Sequence, residues 1–314
     1  SLCGGEPVGL WLLTFHALGL RLLRDAAGGA DAPRIGFAVF DRGDSMGVWR
    51  ACQKDLNVDS REFRPRSLFE ACSRGVNRLE DPLGWDEAGR PSEQRLAGRV
   101  YAAYRKEMRR RNAVDCDDLL AWPLRLLSTG ALVADPARFQ HFLVDEYQDT
   151  NTTQYRLVQL LVGVRGALTV VGDDDQSIYA WRGAEPENLA LLKDDFPSLK
   201  VIKLEQNYRS MGRILNAANK LSANNNHVFE KKLWSDKGYG ETIKVVTAAD
   251  EEDEATKVVS RLISHRFQNK SEYSDYAILY RGNYQSRPIE KALREYPIPH
   301  YLSGGTPFID YTEV

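Results

Sequence analysis

No Gly-Lys dipeptide occurs in the sequence, and so no G-x-x-x-x-G-K-S/T string. These 314 residues therefore lack the glycine-rich loop whose backbone amides and lysine cradle nucleotide phosphates. No run of about 18 apolar residues is present, which argues against a membrane-crossing helix and a membrane partner. Cysteine is scarce: Cys3, Cys52, Cys72 and Cys116 lie far apart with no C-x-x-C pair. That spacing argues against a zinc site or disulfide framework and leaves reduced, buried thiols of a cytoplasmic protein as the expectation. The opening residues, Ser1-Leu2-Cys3-Gly4-Gly5, hold no basic stretch of the kind that begins a signal peptide. They also hold no initiating Met, which suggests a fragment. Internal repeats and low-complexity tracts are absent. An excess of one charge is missing too: 42 Lys and Arg face 44 Asp and Glu, for a net charge of −2. Any nucleic-acid contact would rest on a local basic stripe.

What is present fits a globular protein of about two domains, 43% apolar and 27% charged. Residues 9–24 begin as an apolar, strand-like run and continue with helical spacing. Thr14 is a plausible cap there, and Leu18, Leu22 and Leu23 share one face. Residues 25–128 read as mostly helical, most clearly Asp44 to Leu56 and Glu93 to Arg111. From Arg138 the pattern changes to alternation. Strands are expected at 141–145, 167–171 and 200–204, with helices at 153–162 and 186–195, the signature of a parallel sheet covered by helices. A second alternation follows, with strands expected at 242–247, 276–280 and 298–302 between helices at 210–223, 250–267 and 285–295.

The informative stretch runs from His141 to Ala184. Asp145-Glu146-Tyr147-Gln148-Asp149 follows one apolar run, and Gly172-Asp173-Asp174-Asp175-Gln176 follows another. Ligands in open α/β sheets bind at the carboxyl ends of strands. A paired Asp145 and Glu146 at such an end suits Mg²⁺, which takes one or two carboxylates and keeps waters. The second acid can orient or deprotonate an attacking water. The bare pair is equally compatible with surface acids at a strand end; the longer string DEYQDTN is more specific. Gln176 can sense a γ-phosphate through its amide or serve only as a turn cap. Three consecutive acids, Asp173 to Asp175, cannot all face one ion, and turn formation is the expected role for most of them.

Tyr179, Trp181 and Arg182 suit single-stranded nucleic acid, because bases stack on rings and guanidinium meets phosphate. Trp181 alone would read as core. Gln206-Asn207-Tyr208-Arg209 opens a helix; an Arg there can neutralise charge on a transferring phosphoryl group, and Tyr208 can stack on a base. Thr14, Phe15 and His16 end the first apolar run, where His16 can meet a phosphate backbone, though a lone His is more often structural. Arg281 ends another apolar run and can also reach a phosphate. Asp115, Asp117 and Asp118 imitate a metal cluster, with helix capping the preferred reading. Arg109 to Arg111 read as a solvated basic helix end.

Taken together the strings resemble the UvrD/Rep/PcrA group of superfamily 1 DNA helicases, on the Rep-like side. TFHALGLRLLR (14–24) looks like motif Ib, FLVDEYQDTNTTQY (142–155) like motif II, VVGDDDQSIYAWRGA (170–184) like motif III and LEQNYRS (204–210) like motif IV. The similarity is dense from about 139 to 308 and patchy from 25 to 112. It implies ATP- and Mg²⁺-driven translocation along single-stranded DNA, 3′ to 5′, with unwinding at single-strand/duplex junctions and replication or repair proteins as partners. Asp145 and Glu146 would hold Mg²⁺ and activate water; Gln176 and Arg209 would contact the γ-phosphate; Tyr208 would stack on adenine. Thr14, Phe15, His16, Tyr179, Trp181, Arg182 and Arg281 would meet DNA. The implied fold is α/β. Residues 1–16 and 128–208 would form part of a RecA-like parallel-sheet domain (1A), 17–127 a helical insertion (1B), and 209–314 the beginning of a second RecA-like domain (2A). By that resemblance the missing Walker A loop and later motifs make the chain look like an internal fragment of a helicase, or a truncated gene product, and imply inactivity alone. A non-enzymatic DNA-binding remnant and a helicase-like subunit of a nuclease complex remain the alternatives.

Overall fold

The computed structural model describes residues 9–303 except 30, 88, 133–138, 164–166, 181, 182, 186 and 226. Two compact units emerge: one runs to Ser210 and resumes over Leu215–Asp236, and the other takes Met211–Ile214 and continues from Lys237.

In the first unit, α1 (Phe15–Ala26) starts where the Thr14 hydroxyl accepts the Ala17 amide at 3.2 Å. The expected cap therefore forms. Leu22 and Leu23 are buried, but the apolar residues before Thr14 pair with no strand among the described residues, and Leu12 is exposed. Helices α2 (Arg42–Asp55), α3 (Pro65–Asn77) and α4 (Ser92–Arg110) build the helical body. Asp41 and Asp44 close a reciprocal capping box at the head of α2. Trp49, Tyr104, Leu68, Cys72, Val100 and Met108 form its core. Trp49 meets Phe69 edge-on, with ring centroids 5.3 Å apart. The sequence pattern does not disclose a two-residue parallel ladder here, β1 (Ala38–Val39) with β2 (Ala113–Val114). Helix α5 (Asp118–Ser128) then packs on α1 so closely that a Cβ on Gly19 would lie 1.7 Å from the Leu119 carbonyl oxygen. Of the cysteines, Cys52 and Cys72 are buried as expected, and burial pushes the Cys72 thiol up to about 12, whereas Cys116 is exposed.

Strand β3 (Phe142–Val144) and β4 (Leu168–Val170) are parallel neighbours, with Val144 opposite Val170. Helix α6 (Thr152–Val162) connects them, capped by Asn151 and Gln154. Helix α7 (Glu187–Asp195) covers the pair through Leu189 and Leu192, which pack with Tyr147 and Tyr155. The expected strand at 200–204 makes no ladder among the described residues; the nearby pairing is a single parallel bridge, Gln206 with Trp234. Helix α8 spans Gly212–Ser222.

In the second unit, α9 (Glu251–Asn269) and α10 (Ser286–Glu295) pack around Ala255, Val259, Ala292, Leu293 and Ile298. Asp250 caps α9, whose first turn carries four acids that favour the positive end of the helix dipole. Segments 242–247, 276–280 and 298–302 have strand composition but no ladder among the described residues. A strand needs a neighbour to take its amides and carbonyls. No described segment supplies one, and Val245 and Leu279 are left about nine-tenths exposed.

Candidate functional site

The two acidic loops leave the carboxyl ends of adjacent parallel strands. Ladder hydrogen bonding continues one step past each strand: the Val171 amide donates to the Val144 carbonyl at 2.9 Å, and the Tyr147 amide donates to the Val171 carbonyl at 3.0 Å. Tyr147 is fully buried and anchors a short 3-10 turn, Tyr147–Asp149, against Tyr155 and α7. The chain reaches that turn through Glu146, whose backbone is left-handed, φ 51° and ψ 46°. A non-glycine residue adopts this conformation at a cost, and the anchored turn enforces it.

This geometry leaves Asp145 and Glu146 exposed. One oxygen of Asp145 accepts the Glu146 amide at 3.0 Å, and one oxygen of Glu146 accepts the Gln148 side-chain amide at 2.8 Å. The second oxygen of each carboxylate has no donor, and no Lys or Arg pairs with either acid, among the described residues. Free carboxylate oxygens at an open strand end are the donor set that a hard, partly hydrated Mg²⁺ takes. Behind them Asp149 has its carboxyl pushed above the usual range by burial and then by the Glu146 charge.

The second loop is a 3-10 turn, Asp174–Gln176, capped by Asp173. Gln176 is exposed, and its side-chain amide donates to Asp173 Oδ2 at 2.8 Å. Lys231 closes the loop from outside. Its ammonium bonds Asp173 and lies 3.0 Å from Asp174 Oδ1 and 3.2 Å from Asp175 Oδ2. Burial disfavours the ammonium, but hydrogen bonds to Asp173 and Asp174 outweigh it, so the Lys231 pKa is raised. Those bonds likewise overcome burial and lower the pKa values of Asp173 and Asp174. Asn225 donates to Asp175 Oδ1, and the Val228 amide to Asp174 Oδ2, both at 2.8 Å. Asp174, Asp175 and His227 lie close enough together to hold a metal ion. The Lys231 ammonium already supplies the positive charge there, so these acids belong to the loop's construction.

Gln148 joins the two loops. It is 1% exposed; its amide nitrogen donates to Glu146, and its Oε1 accepts the Asp173 amide at 3.0 Å. The structure thus brings Asp145, Glu146 and the turn carrying Gln176 into one connected arrangement. Tyr208 and Arg209 lie on the loop that follows the Gln206–Trp234 bridge. Tyr208 is 73% exposed and donates to the Gln206 side chain at 2.9 Å. Asn207 Oδ1 accepts the Arg209 amide at 2.9 Å, while the Arg209 side chain is exposed with no acid partner among the described residues. No described hydrogen bond or ion pair connects these two residues to the acidic loops.

The other candidates are dispersed. Thr14 spends its hydroxyl on the cap of α1, Phe15 is the helix's half-buried first residue, and His16 is exposed beside it. Tyr179 is 38% exposed, just past the Gln176 turn. Trp181 and Arg182 lie outside the described residues. Arg281 is exposed in the second unit, where its amide donates to Gln285 at 3.0 Å. Sequence reasoning passed over Gln148 and Lys231. Gln148 had a signal, an amide two residues beyond the acid in a turn, but Lys231 had none, because only folding brings it to the loop.

Comparison with known proteins places the chain in a family. Residues 3–197 match the UvrD/REP helicase N-terminal domain, and residues 202–314 match the UvrD-like helicase C-terminal domain. The chain is 48% identical to the ATP-dependent DNA helicase Rep of Escherichia coli strain K12, over 98% of this chain and 46% of that protein. It is 47% identical to its Salmonella typhimurium counterpart over the same shares. Against the ATP-dependent DNA helicase PcrA of Staphylococcus epidermidis the identity is 39%, over 100% of this chain and 43% of that protein. The chain spans about half the length of the curated relatives it matches. By its two domain matches and its identity to Rep and PcrA proteins, the chain belongs to the UvrD/REP helicase family.

Proposed function

We propose that this chain is the central part of an ATP- and Mg²⁺-dependent DNA helicase that moves 3′ to 5′ along single-stranded DNA and opens single-strand/duplex junctions. The observation that carries the reading is the pair of exposed carboxylates, Asp145 and Glu146, joined through Gln148 to the turn of Gln176. Asp145 and Glu146 would hold the metal, which supplies charge neutralisation at the phosphates. Glu146 is the residue that takes a proton from the attacking water. Gln176 contacts the γ-phosphate, Arg209 neutralises charge developing on it, and the exposed ring of Tyr208 stacks on adenine. Thr14, Phe15, His16, Tyr179, Trp181, Arg182 and Arg281 meet the DNA strand. Residues 1–16 and 128–208 belong to domain 1A, 17–127 to 1B and 209–314 to 2A. The setting is cytoplasmic, among replication or repair proteins.

The test is ATP turnover with and without oligo-dT, by the full polypeptide that carries this chain. Strong stimulation by DNA is expected, and turnover indifferent to DNA would refute the reading. The 314 residues alone, having no Gly-Lys dipeptide, should turn over negligible ATP; robust DNA-stimulated hydrolysis by them would overturn that part. Trp181→Ala should weaken oligo-dT binding by roughly 1–3 kcal/mol, the range for one stacked base. Unchanged affinity would return Trp181 to a structural role.

A further inference from the structure

We infer that Gln148 is a positioning residue that locks the Glu146 carboxylate to the loop carrying Gln176, so that the water-activating and phosphate-contacting groups move as one. The inference rests on the roles proposed above for Glu146 and Gln176 and adds a residue to which no role has been assigned.

Three observations carry it. First, the Gln148 amide is bifunctional and engaged at both ends: one end donates to Glu146 Oε2 at 2.8 Å, and the other accepts from the Asp173 amide at 3.0 Å. A carboxylate side chain could accept from Asp173 but could not also donate to Glu146 unless protonated, and an alkyl chain could do neither. Second, the Gln148 residue is buried and closely packed. Gln148 is 1% exposed, and a Cβ on Gly172 would come within 3.0 Å of its Oε1. The Gln148 backbone carbonyl also accepts from the Ser177 hydroxyl at 3.4 Å, beyond the far end of the Gln176 turn. Third, Asp173 receives the bridge on its amide and holds Gln176 with its carboxylate, at 2.8 Å. The connection therefore runs unbroken from Glu146 through Gln148 and Asp173 to Gln176. Glu146 sits on a left-handed backbone, and the Gln148 bond fixes which way its carboxylate points.

The test uses Gln148→Leu and Gln148→Glu in the full polypeptide, with Glu146→Gln alongside. Gln148→Leu should lower the kcat of DNA-stimulated ATP hydrolysis roughly 10–100-fold, the range for losing an outer partner of a metal-site ligand. KM for ATP and oligo-dT affinity should stay within about twofold, as expected when the interaction lost acts only in the transition state. Gln148→Glu keeps an acceptor for the Asp173 amide but offers Glu146 no donor, so it should lower kcat in the same way, with KM for ATP and oligo-dT affinity again within about twofold. A Leu variant within about twofold of the parent kcat would overturn the inference. So would equal losses of kcat, DNA affinity and melting temperature in both variants.

If Glu146→Gln turns over ATP normally, the failure lies in the role given to Glu146. The connection is then judged in the 314-residue chain by hydrogen exchange at the Asp173 amide. Exchange should speed up at least about tenfold in Gln148→Leu, as the amide loses its buried acceptor. Unchanged exchange would overturn the connection itself.

Discussion

Two clusters of acids look alike in the sequence and behave in opposite ways in the structure. Asp115, Asp117 and Asp118 sit at the head of α5, within the helical body. Asp115 accepts from the Tyr104 hydroxyl at 2.7 Å and from the Asp118 amide at 2.8 Å. Asp118 pairs with Arg105 at 2.6 Å, both side chains being largely buried. Asp117 accepts from Asn77 at 2.9 Å. Asp145 and Glu146, by contrast, face solvent at a strand end with free oxygens and no cation among the described residues. Acids that a fold uses for itself are buried and given donors. Acids held out on a strained backbone, with their charge uncompensated, are available to a ligand. The distinction lies in what surrounds the carboxylates, since the residue types are the same.

Substitutions should separate the two clusters by what they damage. The largest expected effect is Glu146→Gln, which should cut ATP turnover by roughly 10²–10⁴-fold, the usual contribution of a general base, and leave the melting temperature alone. Turnover at the parental rate would erase the contrast. Next is Asp118→Ala, which leaves the buried Arg105 charge unpaired and should destabilise the fold by roughly 3–5 kcal/mol. Denaturant unfolding measures this, and a cost near zero would make the α5 acids as dispensable to the fold as surface acids. The smallest effect sharpens the comparison through pH. Burial, then the charges of Asp118 and Asp117, push the Asp115 carboxyl from its ordinary 3.8 up to about 7. The folded state thus keeps a proton that the unfolded chain releases near its ordinary value. The associated stability is fully present below about 3.8 and is lost as pH rises through about 7. Asp115→Asn should flatten that decline, by roughly 2–4 °C of Tm per kcal/mol for a domain of this size. A variant whose Tm falls with pH as steeply as the parent's would remove Asp115 as the cause.

Local signals in the sequence were dependable where one short segment decides its own structure. Thr14 caps α1, and the apolar runs before Asp145 and Gly172 become neighbouring parallel strands. Periodicity also located α2 and α4 to within two residues, but it gave no bounds for α3. The apolar runs at 200–204, 242–247 and 276–280 have the right composition for strands, but a ladder depends on a second segment, and composition says nothing about whether one is adjacent. The same limit applied at the candidate site. Asp145, Glu146 and Gln176 stand out because acids and amides follow apolar runs. Lys231 is one lysine among many until folding places it against Asp173 to Asp175. Gln148 was visible in the string, but its two-sided bonding exists only once the loops face each other.

The left-handed backbone of Glu146 places a conformational cost and a reactive group at a single position. Glycine there would relieve a cost of about 1 kcal/mol, but in the same step it would delete the carboxylate and leave the buried Gln148 amide without its acceptor, which costs about as much. Stability alone therefore favours no particular residue at this position, and selection for turnover is what holds a glutamate in place. Position-146 variants should spread widely in ATP turnover and narrowly in melting temperature.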